Sequence, residues 1–473
     1  MTTRAALLVA LLVACGGDKG DADSGTPAGT TPTGTTAPGT TPAGTPAGTP
    51  TGTSGAETVL PEGVVAAVAP AMGTVITVSW TTPVETSGYV EFGVDGALDR
   101  ATMETAAGLS HEVHLVGLPP ETEVSYRVVV DSNPVDTETV TTGTLPGAPV
   151  LTVEGTGNDR FLALPLVRDD VSTATIVDPQ GRVVWQYTDT RGLAVYRVHV
   201  KNDGSGIVYS ATLVAGAPNE ASVFVHVPWD GSSETEVPVE FLAHDFLEMD
   251  DGSLVSLAHE WRDELEGNKL ISVAPDGTVT DLWSAWDCFD PALHPSIDPS
   301  KGWTHTNALN YDPVADVFMV SVRNLQSIVA VDRATGTCPW TIGGSAGDVE
   351  ITGGLFLHQH QFAKTDGGLL VFDNDGAPGF ESRVLEYTFD EVGKTADVAR
   401  AIHADPPLKS FILGDVHRFD DGDTLVVWSV PGTVDRIAPD DTRTWRIVAA
   451  PGTVLGFTEA LVDPANPALG VSR

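Results

Sequence analysis

HTNALNYDPVADVFMVSVR, residues His305–Arg323, decides how the fold is read. A histidine opens an apolar strand, an Asp-Pro turn follows, and a second apolar strand returns. The same plan recurs in VHVKNDGSGIVYS (Val198–Ser210), HDFLEMDDGSLVSLAHE (His244–Glu260), HQHQFAKTDGGLLVFDN (His358–Asn374) and VHRFDDGDTLVVWS (Val416–Ser429), with Asp-Gly in the turns. Self-similarity at a period of about 45–60 residues indicates a stacked or circular array of β units. In a propeller the innermost strand of each blade lines a central channel. On that reading His199, His244, His305, His360 and His417 converge on one axis.

A second unit alternates with the first. ATIVDPQGRVVWQY from Ala174, KLISVAPDGTVTDLW from Lys269, SIVAVDRATGTCPW from Ser327 and VDRIAPDDTRTWRI from Val434 are each a strand, a turn and a strand carrying Trp185, Trp283, Trp340 or Trp445. These read as outer hairpins of blades, with the indoles packed between blades. The region 148–473 accommodates six blades of about 54 residues, with seven shorter blades as the alternative. The prediction is an all-β chain: an N-terminal β-sandwich at 59–147 followed by a six-bladed β-propeller.

The sandwich is read from VITVSW (Val75–Trp80), YVEFG (Tyr89–Gly93), HEVHLVGLPPETEVSYRVVV (His111–Val130) and TVTTGTL (Thr139–Leu145). It resembles a fibronectin type III-like domain, with Trp80, Tyr89, the Leu118-Pro119-Pro120 turn and Tyr126 as core and corner residues. A structural arm is its expected role. Ahead of it, residues 16–58 are a Gly/Thr/Pro-rich tract such as TPAGTPAGTP. Such a tract buries no core and is expected to be a disordered spacer.

Residues 1–15 carry Arg4, an apolar run from Ala5 to Ala14, and Cys15. The run is too short to span a membrane and suits a signal peptide. Leu12-Val13-Ala14-Cys15 resembles the bacterial lipoprotein signal, which implies a lipidated Cys15 and a protein anchored in the cell envelope. With Gly16 rather than Asp following, the resemblance implies the outer membrane. Cys288 and Cys338 are the other two thiols. They are able to pair in an oxidising compartment, though the sequence does not show them to be neighbours.

The net charge of −39 excludes phosphate-led nucleic-acid binding. An anionic substrate must find a local basic pocket. Arg323, His305, Asn307, His358 and His360 offer one: in a strand, residues i and i+2 share a face, which pairs His305 with Asn307, Ser321 with Arg323, and His358 with His360. Asp373 and Asn374 read as a strand-capping turn. Asp420, Asp421 and Asp423 read as a hairpin turn, because the DDGD run lacks full calcium-loop spacing.

The His-x-Asn before Tyr-Asp-Pro, the Ser-x-Arg about sixteen residues later and the Gln-His leading into Phe-Asp-Asn, together with His244, resemble the bacterial arylsulfotransferase family. The resemblance implies a PAPS-independent transfer of a sulfuryl group from a phenolic sulfate ester to a phenol, without cofactor or metal. It implies His360 as the transiently sulfated residue and Arg323 as the essential cation, with His305, Asn307 and His244 beside them. His358 and His417 are further substrate-binding candidates, and His358, two residues from His360, competes with it for the nucleophile's role on spacing alone. Two other functions fit the pattern less well. A metal-dependent lyase or hydrolase would use the clustered histidines as ligands, but Arg323 in the channel repels a divalent cation. A non-catalytic, surface-anchored propeller would be a binding or adhesion module.

Overall fold

The computed structural model describes residues 59–169, 171–212, 221–376 and 381–472. Cys15, the signal segment and the Gly/Thr/Pro-rich tract lie outside the described residues. The chain is all-β. Its first part is a sandwich of two antiparallel sheets. One holds Glu62–Val68, Ile76–Thr86 and Gly108–Leu115; the other centres on Gly88–Val94 and Glu123–Val130. Alternation buries Ile76, Val78 and Trp80 between the sheets while their neighbours face outward. Leu118 and Tyr126 are buried, Tyr89 half-buried.

Six sheets follow as the blades of a propeller, antiparallel apart from Glu350–Thr352, which pairs parallel at the outer edge of the fifth. The five histidine repeats are the innermost hairpins of the second to sixth blades, opening with Ala194–Val200, Leu242–Glu248, Thr306–Asp312, Phe362–Thr365 and Asp415–Arg418. Their tight turns explain the Asp-Gly signature. Gly204, Gly252, Gly367 and Gly422 have φ of 69°, 76°, 72° and 89°, a region open to glycine at little cost. In the fourth blade, where Asp-Pro replaces Asp-Gly, Asp316 takes the positive φ instead.

The ring closes through both ends of the propeller segment. Glu459–Leu461, near the C-terminus, pairs with Phe161–Arg168 on the inner side of the first blade, and Val471–Ser472 pairs with it in turn. Thr152–Gly155, just after the sandwich, pairs with Arg443–Val448 as the outermost strand of the sixth. The histidine repeat is absent from the first blade because its inner strand comes from the other end of the chain.

Trp185, Trp283, Trp340 and Trp445 are all buried, each in an apolar cluster drawn from two neighbouring blades. Removing one such indole is expected to cost about 3–5 kcal/mol. Cys288 and Cys338 form a disulfide, with Cα atoms 6.1 Å apart, at the junction of the third and fourth blades. The sandwich packs on the propeller through a shared cluster. There Arg100 lies over Phe92 and Phe161 and donates to Asp463 at 2.5 and 2.8 Å. The DDGD run is a hairpin turn whose Asp421 and Asp423 hold Arg436 at 2.5 and 2.7 Å.

Candidate active site

One level of the channel sets the register for everything around it. Asp245, fully buried on the third blade, accepts hydrogen bonds from Arg197 Nε of the second blade (2.5 Å), the Leu309 amide of the fourth (2.8 Å) and Gln361 Nε2 of the fifth (2.5 Å). Asp415 of the sixth blade accepts from the Thr458 amide of the first at 2.7 Å. Asp245 thus ties the inner strands of blades two to five together, and Asp415 those of the sixth and first.

The residues immediately before this level are Tyr196, His244 and His360. Tyr196 stacks on His244 with ring centroids 5.3 Å apart, and His244 meets His305 edge to face at 5.0 Å. His360 and Arg323 join them electrostatically: His360 and Arg323 depress both His244 and His305, and Arg323 depresses His360. Burial is the largest cause in each case. It pushes His244 and His360 down to about 3 and His305 well below the ordinary imidazole value. The three imidazoles are therefore neutral at physiological pH, and Arg323 is the cluster's permanent cation.

Arg323 reaches the cluster by a turn, not by strand alternation. Val317–Val322 ends just before it, and Arg323–Leu325 is a single 3-10 turn. The Arg323 amide donates to His305 O at 3.3 Å and the Asn324 amide to Thr304 O at 3.0 Å, which folds the turn against His305. Arg323 is 1% exposed. Its Nη1 donates to Asn324 Oδ1 at 2.7 Å and lies 3.6 Å from Asp298 Oδ2, while its Nε has no hydrogen-bond partner. Asn307 is buried beside it on the fourth blade. Its Nδ2 donates to Gln359 O of the fifth blade at 2.8 Å, and its Oδ1 is unpartnered, as is His244 Nδ1. Buried polar groups are nearly always satisfied. Three orphaned atoms, one of them on the cation itself, mark a place for a polar ligand.

Three expectations need correction. His199 does not join the cluster: it lies two residues beyond the Arg197 level, clamped between Glu459 (2.6 Å) and Glu248 (2.8 Å). His417 likewise lies two residues beyond Asp415, with Nε2 3.3 Å from Asp415 Oδ2, and is not among the leading charges acting on His244, His305 or His360. Sharing a repeat is not sharing a register. The i, i+2 pairing also fails as the positioning device. His305 and His358 precede their strands and sit at φ of 47° and 52°, a backbone region costly for non-glycine residues and concentrated at functional sites. His358 Nδ1 is hydrogen-bonded to Asp375, and Asp375 also pairs with Lys409.

Tyr196, Asp298 and Asn374 are additions that the sequence did not single out as site residues. Tyr196 occupies in its strand the third position that His244 occupies in the next, so aligning strand starts rather than histidines would have found it. Asn374, expected to cap a turn, accepts from His360 Nδ1 at 2.9 Å.

Fold and site together define a β-propeller protein with a buried cluster of three imidazoles and one guanidinium. The chain belongs to the arylsulfotransferase (ASST) family, whose model matches residues 149–438. No curated protein matches the chain. Similar solved structures include a protein of unknown function from Bacteroides caccae (12% identity, 66% of this chain and 98% of that one, TM-score 0.41). A streptogramin B lyase structure is similar at 12% identity over 62% and 86% of the two chains, TM-score 0.36. The virginiamycin B lyase from Staphylococcus aureus is similar at 10% identity over 65% and 98%, TM-score 0.37.

Proposed function

We propose that this member of the arylsulfotransferase family moves a sulfuryl group from a phenolic sulfate ester to a phenolic acceptor through a sulfohistidine on His360. The observation that carries the proposal is the meeting of neutral His244, His305 and His360 with Arg323, whose Nε keeps an unused donor in a buried place.

In the first half-reaction an imidazole lone pair of His360 attacks sulfur. The N–S bond forms, the S–O bond to the aryl group breaks, and its electron pair leaves on the phenolate oxygen. In the second half-reaction the acceptor's oxygen attacks the same sulfur and the N–S pair returns to His360. The proton released by the acceptor phenol balances the one taken up by the departing phenolate. Arg323 offers fixed donors to the sulfuryl oxygens as their charge grows, and His244 and His305 offer a hydrogen-bond donor to the leaving oxygen. A neutral imidazole is the form such a nucleophile requires. Asn307 orients the bound groups. His417 is assigned no contact with substrate in this scheme. A divalent metal would have to sit beside the buried Arg323 guanidinium, which disfavours metal chemistry here.

Purified protein given a chromogenic aryl sulfate and a phenol should release the chromophore and form the new sulfate ester. Intact transfer by the His360→Ala variant would remove His360 as the nucleophile, and no transfer by the native protein would favour a binding module instead.

The same reading places the enzyme on the cell envelope, with Cys15 lipidated, residues 16–58 as a spacer and the fibronectin type III-like sandwich as an arm. Cys15→Ser should move the protein out of the membrane fraction; an unchanged distribution and mass would refute the anchor.

A further inference from the structure

We infer that Asn374 is a positioning residue that fixes the tautomer of His360, so that Nε2 is the atom that takes the sulfuryl group. The inference rests on the proposed role of His360 and adds which nitrogen reacts and what selects it.

Asn374 is fully buried at the end of Gly368–Asp373, the strand paired with that of His360. Its Nδ2 donates to two backbone carbonyls, Ser410 O at 2.5 Å and Leu413 O at 2.9 Å. Carbonyls only accept, so the NH2 end of the amide must face them. The Oδ1 end is thereby turned to His360 Nδ1, 2.9 Å away, and an amide oxygen also only accepts. Nδ1 must then carry the hydrogen. A neutral imidazole has one ring N–H, which leaves Nε2 with the free lone pair.

The loop that presents the two carbonyls is itself held. Ser382 Oγ donates to both Asn374 O and Ser410 O, and the Ser410 amide donates to Ser382 Oγ at 2.9 Å. Leu413 and Gly414 have φ of 53° and 101°, and a Cβ at Gly414 would lie 2.1 Å from the Phe372 ring. Glycine there lets the backbone close on Phe372 and aim Leu413 O at Asn374. Lys409 Nζ caps the outer side by donating to Asn374 O at 2.6 Å. When Nε2 bonds sulfur, the Nδ1 hydrogen stays on the ring and the Asn374 oxygen faces the resulting cationic imidazole.

Three measurements decide the matter in the full-length protein. In 15N-histidine-labelled enzyme without substrate, the His360 resonances, identified by their absence in His360→Gln, should show a protonated Nδ1 and a bare, pyridine-like Nε2. In enzyme trapped with aryl sulfate alone, the adduct should be on Nε2. A protonated Nε2 in the free enzyme, or an adduct on Nδ1 of His360, overturns this inference while leaving the sulfohistidine reading intact. No adduct on any histidine overturns that reading instead, and the tautomer measurement still decides the role of Asn374. Asn374→Ala, checked for an unchanged fold, should slow adduct formation about 10²-fold with little change in KM. An equal rate would contradict the inference.

Discussion

Arg197 and Asp245, from adjacent blades, form a fully buried ion pair with Nε and Oδ1 2.5 Å apart. Asp245 also holds Leu309 and Gln361, so one carboxylate braces four blades just beside the imidazole cluster. Asp245→Ala would leave the Arg197 cation buried with its nearest anion gone. Breaking a buried pair this way costs about 3–5 kcal/mol. Urea denaturation should show that loss. A variant as stable as the native chain would mean that Asp415 and Glu459, the other anions acting on Arg197, suffice.

Acid should destabilise the protein through the same site. His244 and His360 are held near 3 in the fold against 6.5 when unfolded, and His305 is depressed in the same sense. Above pH 6.5 they are neutral in both states and impose no penalty. As pH falls from there towards 3, the unfolded chain takes up protons that the fold refuses. Each histidine then removes up to about 1.4 kcal/mol per pH unit. Replacing His244 with Gln should flatten that acid slope; an unchanged slope would show that carboxylates alone govern it. Adduct formation, by contrast, should hold its rate down to about pH 5, because His360 stays unprotonated there.

Much of the fold was legible because turn chemistry and strand patterning repeat. Asp-Gly turns with apolar flanks mark four inner hairpins and an Asp-Pro turn the fifth, and buried tryptophans mark four outer ones. The outer hairpin of the second blade carries its buried Trp229 in the turn rather than on the returning strand, and that of the fifth carries no Trp. Closure of the first blade by Glu459–Leu461 is a long-range pairing with no local signal. For the site, residue type was more legible than register. His244, His305, His360 and Arg323 do come together. His199 and His417 share their repeats but lie past the Asp245 level, and a shift of two residues along a strand keeps the same face while changing depth. Asn374 was hidden because its partner carbonyls belong to a loop some forty residues on, which no local pattern connects to His360.

Arg323→Ala should cost about 3–4 kcal/mol of transition-state stabilisation, the scale of losing an oxyanion donor. The loss should fall on kcat for transfer, measured against an unchanged far-ultraviolet spectrum. Arg323→Lys should recover little, since an ammonium lacks the planar fork. Full activity in Arg323→Ala would remove the guanidinium from the mechanism.

The Cys288–Cys338 bridge joins residues 50 apart and staples the third blade to the fourth. Cys288→Ala with Cys338→Ala should lower stability by about 2–4 kcal/mol, mainly through the freer unfolded chain. Calorimetry of oxidised and doubly substituted protein would detect it. The substituted protein should still transfer sulfate at ambient temperature, because neither sulfur touches the imidazole cluster; loss of activity at full stability would show that the bridge shapes the site.

The central claim is the covalent intermediate, and mass spectrometry of enzyme mixed with donor alone tests it most directly. One equivalent of phenol should be released per active site, leaving protein about 80 Da heavier, the mass of the SO3 group added to the imidazole nitrogen. The added mass should map to the peptide containing His358 and His360, be lost in His360→Ala, and disappear when a phenol acceptor is added. Release of phenol only when acceptor is present, with no heavier enzyme at any time, would contradict the account and require direct transfer between the two substrates.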